Sequence, residues 1–289
     1  MQIFVTGATG WVGSAVVEEL IAAGHQVTGL ARSAEKAVAL AVTGAQVIRG
    51  SLEDADVLRD AAQSADAIIH TAFNHDFSRF VQNCEQDRQV IELLGEAIAG
   101  SDRMLLVTSG LSGMARGATE LDQPQPVSPR QSEAAAQALS QRGVHVATVR
   151  LAPSVHGLGD HGFVPILVRL ARESGISAWC GSGENCWSGV HRRDAARVYR
   201  LALEQGVTER VYHAVADEAV PFRAIAETIG RQLGLPCGER DRAHFGWFAN
   251  MAAGNMAVSS QRTRTLLDWS ATRPDLLSEL DTPAYYTHL

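Results

Sequence analysis

Six apolar, β-rich runs separated by five stretches of helical periodicity occupy the first 151 residues, and no other feature limits the fold as strongly. The runs cover residues 2–6, 26–32, 45–50, 66–72, 103–109 and 145–151; the helical stretches cover about 12–23, 34–42, 54–62, 80–99 and 132–142. Strands alternating with helices at this spacing predict an α/β fold with a parallel sheet covered on both faces. Because such crossovers are right-handed, the sheet is expected to be doubly wound. With 289 residues, 46% of them apolar, the chain can bury one large core or two modest ones.

After residue 151 the rhythm changes. Residues 154–163 (SVHGLGDHGF) are rich in glycine and histidine and read as a loop. Helical segments dominate beyond it, at 163–173, 193–204, 222–233 and 242–253, with short strands near 177–180 and 211–215. Too few strands remain for a sheet of their own, so a smaller, mainly helical lobe is expected. The expected division is residues 1–153 and 154–289, a soft boundary that β–α–β units are free to cross.

The first strand ends in Thr6-Gly7-Ala8-Thr9-Gly10-Trp11-Val12-Gly13, a GxxGxxG spacing that opens the first helix. Gly7 permits a tight turn, Gly10 lets the backbone approach a pyrophosphate, and Gly13 lets the helix lie close on the strand. The helix N-terminus adds free N–H groups and a partial positive charge for phosphates. Strand, turn and helix in this order point to dinucleotide binding by Gly7, Thr9, Gly10, Trp11, Val12 and Gly13. A plain strand–helix turn is the alternative.

The end of the second strand bears on which dinucleotide. An NAD site places an acid about 20 residues beyond the glycines. Here Leu30-Ala31-Arg32-Ser33 offers none before Glu35. Arg32 can pair with a 2′-phosphate and Ser33 can donate a further hydrogen bond, which favours NADP; the alternative is a solvated arginine. Ser51 and Leu52 follow the third strand, where they can face the adenine. Thr71 and Ala72 follow the fourth, where small residues let the backbone approach the ribose.

TGATGWVG resembles the TGxxGxxG of the extended and atypical short-chain dehydrogenase/reductases, the NAD(P)-dependent epimerase/dehydratase-like superfamily. GSLED (50–54) is similar to that family's GDL-D segment, RLAPSVHGLG (150–159) to its R-x-x-N-V-Y-G-P strand end, and VHRRDAARVYRLALE (190–204) to its H-V-x-D-x-A helix. The resemblance covers nearly the whole chain. It implies a Rossmann core, a C-terminal substrate lobe, a nicotinamide cofactor that Pro153 helps to bind, and a homodimer through the long helices of the fourth and fifth units.

The departure lies in the chemistry. The family's catalytic pair is a tyrosine four residues before a lysine. The corresponding helix start here reads Ser128-Pro129-Arg130-Gln131-Ser132-Glu133, and Lys36 is the only lysine in the chain. The four tyrosines, Tyr199, Tyr212, Tyr285 and Tyr286, all fall in the expected second lobe. The chain therefore looks like the atypical subgroups that keep the cofactor site and lose the pair. Ser128 and Pro129 suit a helix cap and first turn. Arg130 and Glu133 could pair with each other, and Arg130 could bind an acidic substrate group.

Ser109 and Ser112, after the fifth strand, are the nearest substitutes for the family's catalytic hydroxyl. Ser109 could orient a substrate carbonyl or simply satisfy local backbone. Histidine is the side chain best tuned to give a proton near neutral pH. His156 takes the tyrosine's place in the V-Y-G segment, and His75 follows the fourth strand; His161, beside Asp160, is a third candidate. The spacing of His156, Asp160 and His161 is too common to predict a metal, and none is expected. Trp179, Trp187, Trp247 and Phe245 either line an apolar pocket or pack in a core.

A net charge of −7 opposes nucleic-acid binding, whose phosphate contacts need a basic face. No apolar run approaches the ~20 residues of a membrane helix, and the first strand leaves no room for a signal peptide. Cys84, Cys180, Cys186 and Cys237 show neither a CxxC pair nor a metal spacing, and read as free thiols of a cytoplasmic protein. The expectation is an NADPH-dependent oxidoreductase acting on a carbonyl, imine or activated alkene of a small to medium-sized organic substrate, with a proton donor other than tyrosine. Its rivals are a catalytically silent NADP-binding regulator and a nucleotide-sugar epimerase or dehydratase with tightly held NAD.

Overall fold

In a computed structural model, which describes residues 1–125 and 129–289, each of the six β-rich runs is a strand. These are β1 (Gln2–Thr6), β2 (Gln26–Ala31), β3 (Gln46–Arg49), β4 (Ala67–His70), β5 (Met104–Gly110) and β6 (Val146–Leu151). Between them run α1 (Trp11–Ala22), α2 (Ala34–Val42), α3 (Ala55–Gln63), α4 (Phe80–Ala97) and α5 (Ser132–Gln141). Ser128, the expected cap of the fifth helix, lies outside the described residues; α5 begins at Ser132 with Gln131 before it. The later elements are β7 (Ser154–His156), α6 (Phe163–Ser174), β8 (Ser177–Cys180), β9 (Cys186–His191), α7 (Arg192–Glu204), β10 (Val211–Ala214), β11 (Asp217–Pro221), α8 (Phe222–Leu233) and β12 (Cys237–Arg240), followed by short helical turns.

Seven strands make one sheet in the order β10-β6-β5-β4-β1-β2-β3, and the pairings along β5-β4-β1-β2-β3 are parallel. The chain steps outward from β1 to β2 and β3, then returns to β4 on the other side of β1. In such sheets ligands bind outside the carboxyl ends of the strands, at this point of reversal. Burial on both faces explains why the strands read as nearly continuous apolar runs. Phe4, Ile68, Leu105 and Val107 pack against Leu58 of α3, Val90, Ile91 and Leu94 of α4, and Leu139 of α5.

Two compact units emerge, and each draws on separate stretches of chain. Unit 1 comprises Met1–Gly110, Pro126–Arg150 and Ala196–Tyr212; unit 2 comprises Leu111–Gln125, Leu151–Ala195 and His213–Leu289. The expected place of the tyrosines is corrected by this division. Tyr199 and Tyr212 belong to unit 1, because α7 and β10 carry the chain back to the sheet after it has left.

Unit 2 also has sheets of its own, contrary to the expectation. β11, β9 and β7 form one, and β12 and β8 another. β7 arises from the segment read as a loop: Ser154, Val155 and His156 pair in parallel with Gly189, Val190 and His191. A strand of three residues is too short to reveal a period of two. The core of this unit is centred on Trp187, fully buried, with Phe163, Phe222 and Phe248 around its ring. Trp179 and Phe245 join the same core, whereas Trp247 is 66% exposed. Among the described residues no helix is long and apolar enough to cross a membrane.

Candidate active site

The glycine turn after β1 has the geometry its spacing requires. Gly7 adopts φ +67°, and a Cβ there would stand 2.6 Å from the Ala72 backbone nitrogen. A Cβ on Gly13 would meet the Gly7 carbonyl oxygen at 2.0 Å and the Thr71 hydroxyl at 2.7 Å. Only hydrogen therefore fits at either position. The Gly10 N–H donates to the Gly7 carbonyl at 2.8 Å, which closes the turn. Thr9 is half-buried in it, and Gly10 is exposed at the start of α1. Trp11 and Val12, both half-buried, follow in a first turn without acidic residues. The arrangement leaves a cradle of bare backbone at a positive helix end, which suits a pyrophosphate.

At the neighbouring strand ends, Arg32 follows β2 and Arg49 ends β3, where Ala31 and Arg49 are in register. The Arg49 guanidinium donates to the Arg32 carbonyl oxygen at 3.2 Å. Ser33 caps α2 by accepting from the Lys36 N–H at 3.2 Å, so Lys36 stands in the first turn of that helix. All four of these side chains are exposed. Ser51 follows β3 and is tied to the next helix start. Its N–H and its hydroxyl both donate to Asp54, at 2.6 and 2.9 Å, and Leu52 lies half-buried beside it. The Thr71 hydroxyl donates to the Thr6 carbonyl at 2.8 Å and so ties the ends of β1 and β4.

Beyond β4, the Phe73 ring has two polar neighbours. His75, exposed, meets it edge-on at 5.3 Å between centroids, and the Arg130 guanidinium lies 4.3 Å from its centre. Asp76 caps the next turn, accepting from the Ser78 N–H at 3.0 Å. Arg130 also donates from Nη2 to the Thr108 carbonyl oxygen at 3.1 Å. Ser109, half-buried, is the next residue of β5. The structure thus gathers His75, Phe73, Arg130 and Ser109 around the carboxyl ends of β4 and β5. The Thr108 hydroxyl is 2.8 Å from that of Tyr199, which is fully buried; burial pushes the Tyr199 hydroxyl well above its ordinary range.

The sequence reading missed a set of buried polar groups beneath these residues. His70 Nδ1 lies 2.7 Å from the Thr6 hydroxyl and His70 Nε2 lies 3.1 Å from Asp87 Oδ1. Ser132 donates its hydroxyl proton to Asp87 Oδ2 at 2.5 Å, and Arg130 Nε donates to that same hydroxyl oxygen at 2.8 Å. Burial by itself would raise the Asp87 carboxyl. The His70 hydrogen bond and charge, the Arg130 charge and the Ser132 hydroxyl outweigh it and hold the carboxyl below its ordinary value. One signal was legible. Asp87 lies in helical register with Cys84, Val90, Ile91 and Leu94, all on the buried side of α4. A carboxylate on an apolar face needs partners. Glu133, the other charge at this helix start, is held by Arg150.

In unit 2, Pro153 is half-buried at the bend between β6 and β7. His156 has no exposed surface, and neither of its ring nitrogens makes a hydrogen bond. Its Nε2 is 3.8 Å from Asp217 Oδ2, and its ring meets His191 edge-on at 5.7 Å. Asp160 is buried and accepts from the Tyr285 hydroxyl and the Gly162 N–H, each at 2.7 Å. Among the described residues no group of three or more His, Cys, Asp or Glu could hold a metal ion.

A sequence model of the NAD dependent epimerase/dehydratase family matches residues 3–215. An uncharacterized protein of Schizosaccharomyces pombe is 42% identical over 295 residues, covering 99% of this chain and 100% of the relative. A 2-alkyl-3-oxoalkanoate reductase of Stenotrophomonas maltophilia is 27% identical over 258 residues, 82% of this chain and 77% of the relative. Among solved structures, Pal from Bacillus thuringiensis shares the fold with a TM-score of 0.79 at 18% identity, covering 99% of both chains.

Proposed function

This chain belongs to the NAD dependent epimerase/dehydratase family, and on that premise we propose that it is an NADPH-dependent oxidoreductase reducing a carbonyl, imine or activated alkene of a small to medium-sized organic molecule. One observation carries the choice of NADPH. Arg32, Lys36 and Arg49 gather at the carboxyl ends of β2 and β3, and among the described residues no carboxylate pairs with any of them. In a chain of net charge −7, such a group of cations suits a 2′-phosphate. The reduction of a carbonyl draws support from the 2-alkyl-3-oxoalkanoate reductase relative, whose name gives a 3-oxo acid as its substrate.

NADPH, when bound, supplies the hydride. Gly7 to Gly13 would hold its pyrophosphate at the N-terminus of α1, and Arg32 and Arg49 its 2′-phosphate. Ser109 orients the substrate carbonyl through its hydroxyl. His75, exposed beside Phe73, gives the proton that completes the alcohol. His156 has no exposed surface, and this reading gives the step to His75 instead. No particular observation favours a silent regulator or a nucleotide-sugar epimerase.

Oxidation of NADPH by the purified protein, followed by absorbance across a panel of ketones, aldehydes, imines and enones, tests the reading. Turnover above the rate without substrate, faster with NADPH than with NADH, is expected. NADPH binding with a silent panel would remove the oxidoreductase reading, and equal rates with NADH would remove the cofactor preference.

A further inference from the structure

One hydrogen-bonded chain of side chains joins the carboxyl ends of β1 and β4 to α4 and to the start of α5. It runs Thr6, His70, Asp87, Ser132, Arg130. The first four are each no more than 2% exposed, while Arg130 is half-exposed. Ser132 has a single hydroxyl proton, which goes to Asp87, so its oxygen is left to accept from Arg130 Nε. The direction of each bond at this end of the chain is therefore fixed. Burying an ionised carboxylate is costly unless it is paired and hydrogen-bonded. Asp87 is both, and it places a fixed negative charge behind Ser132.

Contacts with the Ser132 oxygen, the Thr108 carbonyl oxygen and the Phe73 ring help to set the plane of the Arg130 guanidinium. An arginine free on the surface keeps its rotamer entropy. This one has been brought to a single place, at the end of β5 beside Ser109, on the side of the sheet where ligands of this fold bind. The same helix start carries no tyrosine or lysine.

We infer that Arg130 is the group that meets the reacting oxygen of the substrate, and that Ser132 and Asp87 are the positioning residues that hold it there. The inference rests on the proposed reduction. As the hydride adds to the carbonyl carbon, the π electron pair of the C=O bond moves onto oxygen. The guanidinium N–H groups stabilise that alkoxide until a proton from His75 or water completes the alcohol. A preorganised cation acts on charge that develops only in the transition state, so its effect falls on kcat.

Arg130→Ala, Arg130→Lys and Ser132→Ala test this in two assays. In the first, kcat with the best carbonyl of the panel falls about 10²- to 10³-fold for Arg130→Ala, the loss typical of one oxyanion donor. NADPH binding stays unchanged, and added guanidinium ion restores rate to Arg130→Ala but not to the wild type. Arg130→Lys recovers only part of the rate, and Ser132→Ala lowers kcat with little change in KM. In the second assay, 4-nitrophenol is titrated into the protein saturated with NADP⁺, and its ionisation is followed by absorbance. The wild type binds the phenolate in preference to the phenol, and Arg130→Ala loses that preference. A kcat within twofold of wild type in Arg130→Ala overturns the inference, as does a phenolate preference that is absent from the wild type or survives the substitution. A wild type that turns over no carbonyl removes the proposed function, and the phenolate titration then judges Arg130 by itself.

Discussion

Arg150, with no exposed surface, grips Glu133 through two hydrogen bonds, from Nε to Oε2 at 2.9 Å and from Nη2 to Oε1 at 2.5 Å. This fork-to-fork geometry is the strong form of a charged hydrogen bond. It joins the end of β6 to the first turn of α5, the helix on which Ser132 stands.

Removing Glu133 takes away the carboxylate that faces the buried Arg150 guanidinium. Glu133→Ala is expected to destabilise the protein by about 3–5 kcal/mol. Glu133→Lys, which brings two cations together, is expected to cost at least as much. Urea unfolding at neutral pH measures both, and a change below about 1 kcal/mol in Glu133→Ala would mean that Arg150 finds other partners.

Asp87 predicts an acid limb. Its carboxyl lies below the ordinary value of 3.8, so the unfolded chain takes up the proton first as pH falls. The stability it contributes is complete above pH 3.8 and is lost as pH drops through the folded value. Asp87→Asn should flatten this part of the stability–pH curve. It should also lower stability at neutral pH by about 1–3 kcal/mol, because His70 and Ser132 lose a charged acceptor.

His191 predicts a second pH effect, nearer neutrality. Burial, together with the charge of His156, lowers its pKa from 6.5 to about 4, against a smaller opposing pull from Asp194. Between those values the unfolded chain binds more protons than the folded one, so stability falls as pH drops from 6.5 toward 4. The slope has a ceiling of about 1.4 kcal/mol per pH unit, and solvent around the half-buried ring holds it below that. His191→Gln should remove the slope in thermal melts across this window.

Gly13→Ala places a methyl group 2.0 Å from the Gly7 carbonyl oxygen. Neither backbone can yield without opening the turn, so a loss of about 1–3 kcal/mol in stability is expected. NADPH affinity, measured by nucleotide fluorescence, should fall with it. Gly110→Ala, where nothing stands within 4 Å and φ is not positive, supplies a comparison without a clash.

Arg32→Ala and Arg49→Ala should each raise KM for NADPH about 10- to 100-fold, the range expected for losing a charged hydrogen bond of about 1.5–3 kcal/mol. KM for NADH should stay the same, because it carries no 2′-phosphate. A parallel rise for both nucleotides would assign the arginines to folding of the β2 and β3 ends.

Much of unit 1 was legible because its signals are local. An apolar strand, a glycine turn and a helix of period 3.6 are written in neighbouring residues, and the positive φ of Gly7 and the approach of Gly13 to the Gly7 carbonyl are set within that turn. The same local signals placed Arg32, Thr71 and Ser109 at strand ends. The sequence could also exclude a tyrosine–lysine pair, since a residue type that is missing from a segment needs no structure to rule it out. What it could not determine is which polar groups meet. Thr6 and His70 are 64 positions apart, Asp87 and Ser132 45, and Thr108 and Tyr199 91. Those distances close only when the helices pack on the sheet and α7 brings the chain back into unit 1. Periodicity marks the face of a helix that is buried, but the partner of a charge on that face is chosen by packing. That is why Asp87, Ser132 and Arg130 became a connected group only in the tertiary structure, and why the burial of His156 was decided there too.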